Sequence, residues 1–577
     1  MKSPSSTSAP KALIQFLTVI IFMASCCRSQ PSSARVRIDG SGDSALRQII
    51  ENSIDTQNGG VCASLFSGDG QIWEYRSERE NGIAMNSNSP VYPGGLSGQF
   101  AAIALLKLCS QNKIREDAAL SEYLPDVFNS SLGGEALLSK GGIKVSSLLA
   151  ESTGYDDQPP ALAGSLRADS LASRAMRIKP LCPPDLRRTE SSLMVDLGEM
   201  LVQNVSGQPF ANYMDMNLFG PLGMDSSSFS TEAPERNLFF HSDGSPYAYS
   251  EMGAGDLIEP SCSMRTSTHD LMLCYSVLLR LWNSKNPEAE EKGGILPSCC
   301  ATMFSPAIAG QLDRQAYQSG RCWLLSTPGI SYLGPTARAQ GQFLSHRTVV
   351  LLARRQNIGI VISSSVYSRL GCAELEKAAE RILAWCAASC LGCPIPRFVP
   401  PQQKDIPAEL LPKSELYAST QGVAQIGLRG QILGFSFNGS YAEFAYQSGQ
   451  SFLPVSDCDF SGLDVGRSAS LILHWKSGAR TVFNPPRSGE DAFILTPQTG
   501  IQKDSNSSYF KPLGVFSIRK RAEFYTITAG DGREYLIVPQ SGRSASVFCD
   551  DGSVFKNKEL RIAPDGVAEI ADAGGGR

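Results

Sequence analysis

The chain has 577 residues, of which 42% are hydrophobic and 19% are charged, and its formal net charge is −4. This length is too great for one ordinary hydrophobic core and predicts at least two domains. The hydrophobic content is that of a globular protein and not of a disordered one. The balanced charge gives no electrostatic case for nucleic acid or an anionic membrane, so no nucleic-acid partner is expected.

The N-terminus has the pattern of a secretory signal peptide. Lys2 and Lys11 precede or flank an apolar run at residues 12–24, and small residues and cysteines follow it. The run is short for a membrane span but suits a signal peptide that is cleaved near Cys26. We therefore predict a secreted, extracellular protein with no stable membrane span after cleavage. A signal anchor that keeps the chain in the secretory pathway is the alternative.

The 16 cysteines also suit an oxidising compartment. Their pairing cannot be read from the sequence. We interpret Cys386, Cys390 and Cys393 as disulfide partners of other segments and not as a metal site. Together with the signal peptide, the glycosylation sequons indicate a secreted glycoprotein. The sequons lie at Asn129, Asn204, Asn438 and Asn506.

Residues 44–393 mix long helical runs with strand-like runs, which predicts an α/β (α+β) layered domain. The residues before it divide into the signal peptide, 1–26, and a polar lead-in, 27–43. The predicted helices are 46–54, 98–111, 193–204, 268–282 and 373–388. The predicted strands are 61–66, 347–353 and 358–363, and the last two are joined by a hairpin-like turn.

The rest of the chain has a different character. Six prolines in residues 394–416 predict an extended linker. From 417 to 570 the helix signals vanish, and short strand-like runs separated by turn residues predict a smaller all-β domain of sandwich or barrel type. Residues 571–577 are expected to form a disordered tail.

Short segments in the first domain follow one another in a recognisable order. They are the glycine turn and apolar helix at 94–106, then SEYLPD (121–126), IKVSSLL (143–149), VSGQPF (205–210), PLGM (221–224), STHDL (267–271), SGRCW (319–323) and the hairpin 349–363. In order and spacing they resemble the serine β-lactamase and penicillin-binding-protein family, especially its class C and esterase-like branch. The length, the secretion signal and the added β domain look most like those of fungal secreted β-lactamase-related proteins. The resemblance implies a transpeptidase-like domain, with an antiparallel sheet beside a helical subdomain.

Chemistry in that family depends on three motifs. The serine of S-x-x-K attacks a carbonyl while the lysine handles its proton, Y-x-N supplies a second proton shuttle, and K-T-G lines the pocket. Carried onto this sequence, the nucleophile position falls on Gly95 and the lysine position on Gly98. The tyrosine motif falls on Thr189, Glu190 and Ser191, and the K-T-G motif near Pro335, Thr336 and Ala337. The resemblance therefore implies that the usual catalytic set is lost.

Three other side chains are candidates for catalysis. Ser97 is the only hydroxyl in the nucleophile turn, on another face of the helix start. Glu151 and Glu190 form an acid/base pair if both face the pocket. The alternative is that they are solvated or paired with Arg187 and Arg188.

Further patterns exclude other chemistry. Ser110 and Lys113 spell S-x-x-K, but at the far end of the apolar helix, where a polar helix cap is expected. The four histidines show no metal-ligand spacing, so neither a metal nor a cofactor is predicted.

The leading hypothesis is thus a secreted β-lactamase-like protein without the Ser/Lys/Tyr set, which binds a small carbonyl-bearing molecule non-covalently or acts as an accessory protein. The first alternative is a family enzyme with non-standard residues, a hydrolase, acyltransferase or cyclase-like catalyst in a fungal secondary-metabolite pathway. The second is a scaffold or binding protein that works through the β domain.

Overall fold

The computed structural model describes most of residues 36–408 and the strands that follow. The described ranges are 36–54, 59–77, 84–128, 142–154, 191–230, 263–284, 291–307, 319–325, 327–366, 372–396 and 402–408, with residues 56, 184, 185 and 188 and the β-strands and tight turns between 416 and 572. Several predictions fall outside these residues. They concern the signal peptide, Arg187, Thr189, Glu190, Asn129, Asn438 and Asn506.

The helices of the first domain overlap the predicted ones closely. They are α1 (Gly40–Ser53), α2 (Ser97–Ser110), α3 (Pro125–Phe128), α4 (Val145–Leu149), α5 (Ser192–Ser206), α6 (Phe210–Met214), α7 (Gly220–Leu222), α8 (Thr268–Trp282), α9 (Pro297–Met303) and α10 (Ala373–Leu391). Side-chain caps fix two of the starts, because Asp39 accepts from the Gly42 amide at 2.8 Å and Ser267 from the Asp270 amide at 3.1 Å. Within the described part of the chain, no helix is both long and apolar enough to cross a membrane.

A five-stranded antiparallel sheet forms the centre of this domain. Its strands are β1 (Val61–Ser67), β2 (Gly70–Arg76), β6 (Thr336–Phe343), β7 (His346–Ala353) and β8 (Ile358–Ser364), in the order β2-β1-β8-β7-β6. A small separate sheet consists of β3 (Pro90–Val91), β4 (Ser228–Phe229) and β5 (Met264–Ser267). Strands β7 and β8 are buried along their whole length. Such burial requires helices on both faces of the sheet.

Two hydrophobic cores show how the layers are filled. On one face, α1 and α10 pack on the sheet around Leu46, Leu375 and Ile382. On the other, α2, α5 and α8 pack around Phe100 and Leu197. The predicted α/β architecture, an antiparallel sheet with helices, is therefore confirmed.

Beyond the linker the described chain is all-β, as predicted, but it forms two main sheets. The strands are β9 (Leu416–Ser419), β10 (Gly422–Arg429), β11 (Ile432–Phe437), β12 (Ser440–Ser448), β13 (Ser451–Pro454), β14 (Asp459–Phe460), β15 (Leu463–Asp464), β16 (Leu471–Trp475), β17 (Thr481–Asn484), β18 (Phe493–Pro497), β19 (Ser517–Arg521), β20 (Phe524–Thr528), β21 (Glu534–Pro539), β22 (Ser544–Cys549), β23 (Val554–Ile562) and β24 (Ala568–Asp572). Eight of them close a barrel in the order β10-β11-β12-β13-β16-β17-β18-β9. Strands β14 and β15 pair with each other, and β19 to β24 form a six-stranded antiparallel sheet. The last strand reaches Asp572, two residues into the segment expected to be a disordered tail.

The cysteines at the end of α10 correct another expectation. Cys386, Cys390 and Cys393 are free thiols and are not joined to other segments by disulfides. Cys386 lies on α10 and is fully buried in the core between this helix and the sheet, where it behaves as a small hydrophobic side chain. No group of metal-ligating side chains is found among the described residues.

Candidate active-site cleft

The glycine turn lies where the sequence predicted it, at the start of the central helix. Gly94–Leu96 form one turn of 3-10 helix that runs directly into α2. The Tyr92 amide donates to Nδ1 of His346 at 3.0 Å, and the two rings meet edge to face at 5.7 Å. His346 is buried on β7, so this contact ties the turn to the sheet.

Two glycines bring the turn and β6 together, backbone against backbone. Gly94 has φ +55°, and a Cβ there would lie 2.1 Å from the Gln342 carbonyl oxygen. A Cβ on Gly341 would lie 2.0 Å from the Pro93 carbonyl oxygen. Only glycine fits either place, so these residues are explained by packing alone.

Gly95 is different because nothing crowds it. It is exposed, and a Cβ built on it would have no heavy atom within 4 Å. A side chain would therefore fit there and project into open space. The glycine at the expected nucleophile position is not required by sterics.

Gly98, the expected lysine position, faces the interior of the cleft. A Cβ on it would lie 3.3 Å from Cγ2 of Val195 and 4.0 Å from Sγ of Cys322. The neighbours of the missing amine are thus an aliphatic side chain and a thiol.

The strand expected to carry the K-T-G motif is present, but its register differs from the expectation. Pro335, Thr336 and Ala337 lie at the start of β6, where Thr336 accepts from the Thr327 amide at 2.9 Å. The residues beside the nucleophile turn are Gly341 and Gln342, at the other end of the strand. With about 3.3 Å per residue, the displacement is roughly 16 Å. Sequence spacing alone did not anchor this motif.

Glu151 is held by Arg188 in a buried ion pair. Nε of Arg188 donates to Oε2 of Glu151 at 2.7 Å, and Nη2 contacts the same oxygen. The two side chains are 5% and 12% exposed. Of the alternatives given for Glu151, pairing with a neighbouring arginine is the arrangement that the structure shows. Because two guanidinium nitrogens contact Oε2 of Glu151, this oxygen is poorly placed to accept a proton from a bound molecule.

The serines of the helix are placed away from a nucleophile's role. Ser97 is completely buried, while Gly95 beside it is exposed. Ser110 lies one helix length away and donates to the Lys107 carbonyl at 2.7 Å. Ser191, from the expected tyrosine motif, precedes α5 and is buried at the rim of the cleft.

The sequence analysis did not single out Cys322 as a site residue. Its backbone is left-handed, with φ +56°, and it stands where the resembled segment has a glycine. Two hydrogen bonds hold this conformation. The Cys322 amide donates to the Leu149 carbonyl at 2.8 Å, and its carbonyl accepts from Nε2 of Gln99 at 3.2 Å. The cysteine in place of a family glycine was the signal available in the sequence.

A small cavity lies beside Gly98. It measures about 20 Å³, room for about one water molecule. The lining is largely apolar and comes from α2, α4, α5, the residues next to α4 and α5, and the segment between α9 and β6. It includes Gly98, Leu149, Glu151, Ser191, Val195 and Cys322.

Comparison with known proteins agrees with this architecture. Residues 46–383 match the sequence model of the family described as Beta-lactamase. The chain is 30% identical over 134 residues to a putative D-alanyl-D-alanine carboxypeptidase of Escherichia coli (strain K12), which covers 22% of this chain and 30% of the relative. It is 25% identical over 236 residues to esterase EstB of Burkholderia gladioli, which covers 37% of this chain and 56% of the relative. The matches therefore span less than two thirds of the length of these relatives.

A solved structure extends the likeness of fold. The crystal structure of SurE covers 79% of this chain and 98% of its own, with a TM-score of 0.50 and 13% identity. The 79% share of this chain that SurE covers exceeds the share that residues 46–383 make up. The likeness of fold therefore continues past the family match. The family match itself covers more than half of the chain and coincides with the antiparallel sheet and its helices. This chain belongs to the beta-lactamase family.

Proposed function

We propose that the cleft in front of Gly95 binds a small, neutral, carbonyl-bearing molecule without bonding to it covalently. The protein is then a non-catalytic member of a hydrolase family, secreted as a binding or accessory protein. The observation that carries the proposal is the open space at Gly95.

The N-terminal end of α2 attracts a carbonyl oxygen. A helix carries a partial positive charge at this end, although the Ser97 N–H in its first turn already donates to the Gly94 and Gly95 carbonyls. Gly95 is exposed directly before this turn and has no side chain. A carbonyl oxygen can therefore approach the backbone more closely there than at any residue with a Cβ.

The same residues argue against covalent attack. Gly95 offers no oxygen and Gly98 no amine, and Val195 and Cys322 surround the position of the amine. Because nucleophile and base act as a unit, losing one costs roughly 10⁶ in rate, and losing the other adds little. Ser97, the nearest hydroxyl, is buried.

The charge of the neighbouring cavity beside Gly98 favours a neutral ligand. Glu151 is the carboxylate in the lining of the cavity, and Arg188 balances it. The pair leaves no net charge to attract an ion. The names of the two relatives, an esterase and a carboxypeptidase, are consistent with a ligand that carries an ester or amide carbonyl.

The test compares two glycine substitutions. Gly95→Trp fills the open space, whereas Gly40→Trp places the same side chain at the exposed start of α1, where the Cβ also has no neighbour within 4 Å. Ligand-observed NMR with the methyl ester of benzylpenicillin, a neutral carbonyl probe, measures binding to each variant. We expect binding by the wild type and by Gly40→Trp, and its loss in Gly95→Trp.

Two results would refute the proposal. One is binding that survives in a folded Gly95→Trp variant, which would place the site elsewhere, with the β-barrel the first candidate. The other is time-dependent turnover of the probe, which would support a family enzyme with non-standard residues.

A further inference from the structure

Two thiols lie where the far end of α2 packs against α9. Cys109 is in the last turn of α2 and is partly exposed, and Cys299 is in α9 and is 5% exposed. Both are free, and both belong to the contacts of the same hydrophobic core. They are 190 residues apart in the chain, so only the fold brings them together.

Polar contacts fix this junction from both sides. Nζ of Lys107 bonds Oε1 of Glu291 at 2.8 Å and the Gly294 carbonyl at 3.3 Å, which ties α2 to the segment leading into α9. The side chain of Ser110, the residue that follows Cys109, lies close enough to the Cys299 thiol to lower its pKa. Cys299 therefore faces the turn of α2 that carries Cys109.

The other thiols nearby are shielded from solvent. Cys300 and Cys274 are 0% exposed, and Sγ of Cys300 already donates to the Leu278 carbonyl at 3.4 Å. A bond between the adjacent residues Cys299 and Cys300 would bend the helical backbone of α9. An oxidant arriving from solvent meets Cys109 first.

We propose that Cys109 and Cys299 are an oxidative modification site, which closes as a disulfide between α2 and α9 when the protein meets a small-molecule disulfide. It does not depend on the ligand proposed for the cleft, which lies at the opposite end of α2.

The reaction is a thiol–disulfide exchange in two steps. The Cys109 thiolate attacks glutathione disulfide and displaces one glutathione thiolate. The Cys299 thiolate then attacks the Cys109 sulfur, displaces the second glutathione and closes the protein disulfide. The two protein thiols lose two electrons and two protons, and glutathione disulfide gains them as two glutathione thiols.

The protein sets the conditions for this reaction. Burial, together with the nearby charge of Glu116, raises the pKa of the Cys109 thiol to about 12. Burial also raises the pKa of Cys299, although its hydrogen bonds to Ser110 and Ser298 and the Lys107 ammonium oppose that effect. Because the thiolate is the reactive form, closure should be slow at neutral pH and faster as pH rises.

The test is a disulfide map of the folded full chain. The protein is incubated with glutathione disulfide, alkylated, and digested with trypsin without reduction. We expect a linked pair of peptides, residues 108–113 and 293–314. Cys299 and Cys300 share the second peptide, so the matched variants Cys299→Ser and Cys300→Ser decide between them.

The proposal requires one pattern of results. The linked pair disappears in Cys109→Ser and in Cys299→Ser and persists in Cys300→Ser. The oxidised wild type also melts at a higher temperature than the reduced form, and a reductant reverses the change, since a cross-link over this separation restricts the unfolded chain. A stable glutathione adduct on Cys109 without the linked pair, or a pair that depends on Cys300, overturns it.

Discussion

Arg188 and Glu151 form an ion pair at the edge of the cleft, with Nε donating to Oε2 at 2.7 Å and both side chains largely out of solvent. Glu151 adopts a left-handed backbone conformation, φ +51°, which is uncommon for a residue with a side chain. Arg188 also lines a second small cavity together with the buried pair of Arg338 and Glu376. The Glu151 contact therefore connects the cavity beside Gly98 to β6, the edge strand of the sheet.

Removing one member of this pair should destabilise the fold more than removing both. We expect Glu151→Gln to lower the free energy of unfolding by about 3 kcal/mol, because it leaves the Arg188 guanidinium buried without its counter-charge. The double variant Glu151→Leu/Arg188→Met should recover much of that loss. Urea denaturation of the three proteins measures this. Equal losses in the single and double variants would show that packing, and not charge, dominates.

Alanine substitution of the two adjacent glycines in the turn should change the unfolding free energy by very different amounts. Gly94→Ala combines a positive φ with a Cβ 2.1 Å from the Gln342 carbonyl oxygen, so we expect a loss of well over about 1 kcal/mol in unfolding free energy. Gly95→Ala meets open space and should change it by less than about 0.5 kcal/mol. Thermal denaturation of both variants is the measurement. A large effect at Gly95 would mean that the turn tolerates no side chain there.

Stability should fall with rising pH because of Glu199. This residue on α5 is 1% exposed, and among the described residues neither carboxyl oxygen has a hydrogen-bond partner. Burial, and then the nearby charge of Asp196, raises the pKa of Glu199 well above its usual range. The favourable contribution is therefore complete below the unfolded-state pKa, about 4.3, and is lost as pH rises through the higher folded-state value.

Glu199→Gln tests that expectation because it keeps the shape and removes the titration. We expect the unfolding free energy of the wild type to decrease more between pH 5 and pH 8 than that of Glu199→Gln. Urea denaturation at both pH values gives the comparison. Parallel decreases would assign the pH dependence to other groups.

Covalent probes of serine hydrolases should leave the protein unmodified. Gly95 and Gly98 provide neither nucleophile nor amine, Ser97 is buried, and Ser110 donates to a helix carbonyl. Intact-protein mass spectrometry after incubation with a fluorophosphonate and with a penicillin checks this. A labelled peptide containing Ser97 or Ser110 would identify that serine as a nucleophile and refute the non-covalent proposal.

Processing of the chain remains a prediction from sequence. We expect the mature protein to start near Cys27 and to carry a glycan on at least one sequon. Asn204 is exposed near the end of α5, although its Nδ2 atom donates to the Tyr123 carbonyl at 3.4 Å and a glycan would displace that bond. N-terminal sequencing and the mass change on glycosidase treatment measure both properties. An intact Met1 on an unglycosylated protein would contradict them.

Local patterns in the sequence determined the elements and their type. The apolar periodicity of α2, α5 and α8 and the continuous apolar runs of β7 and β8 are strong local signals, so the predicted ranges differ from the observed ones by only a few residues. The sequence also separated the α/β region from the all-β region, because proline-rich composition divides them. It located the turn at Gly95 through a motif that lies within one continuous segment.

Only the tertiary structure decided which residues meet at the cleft. The strand register of β6 placed Gly341, and not Ala337, beside the turn, and no local pattern encodes which end of an edge strand meets another segment. Three features join residues that are far apart in the chain. They are the pairing of Arg188 with Glu151, the cavity that Cys322 and Gly98 line together, and the junction of α2 with α9. Such contacts follow from how the layers pack around the two cores, and a linear reading of residue types cannot supply that geometry.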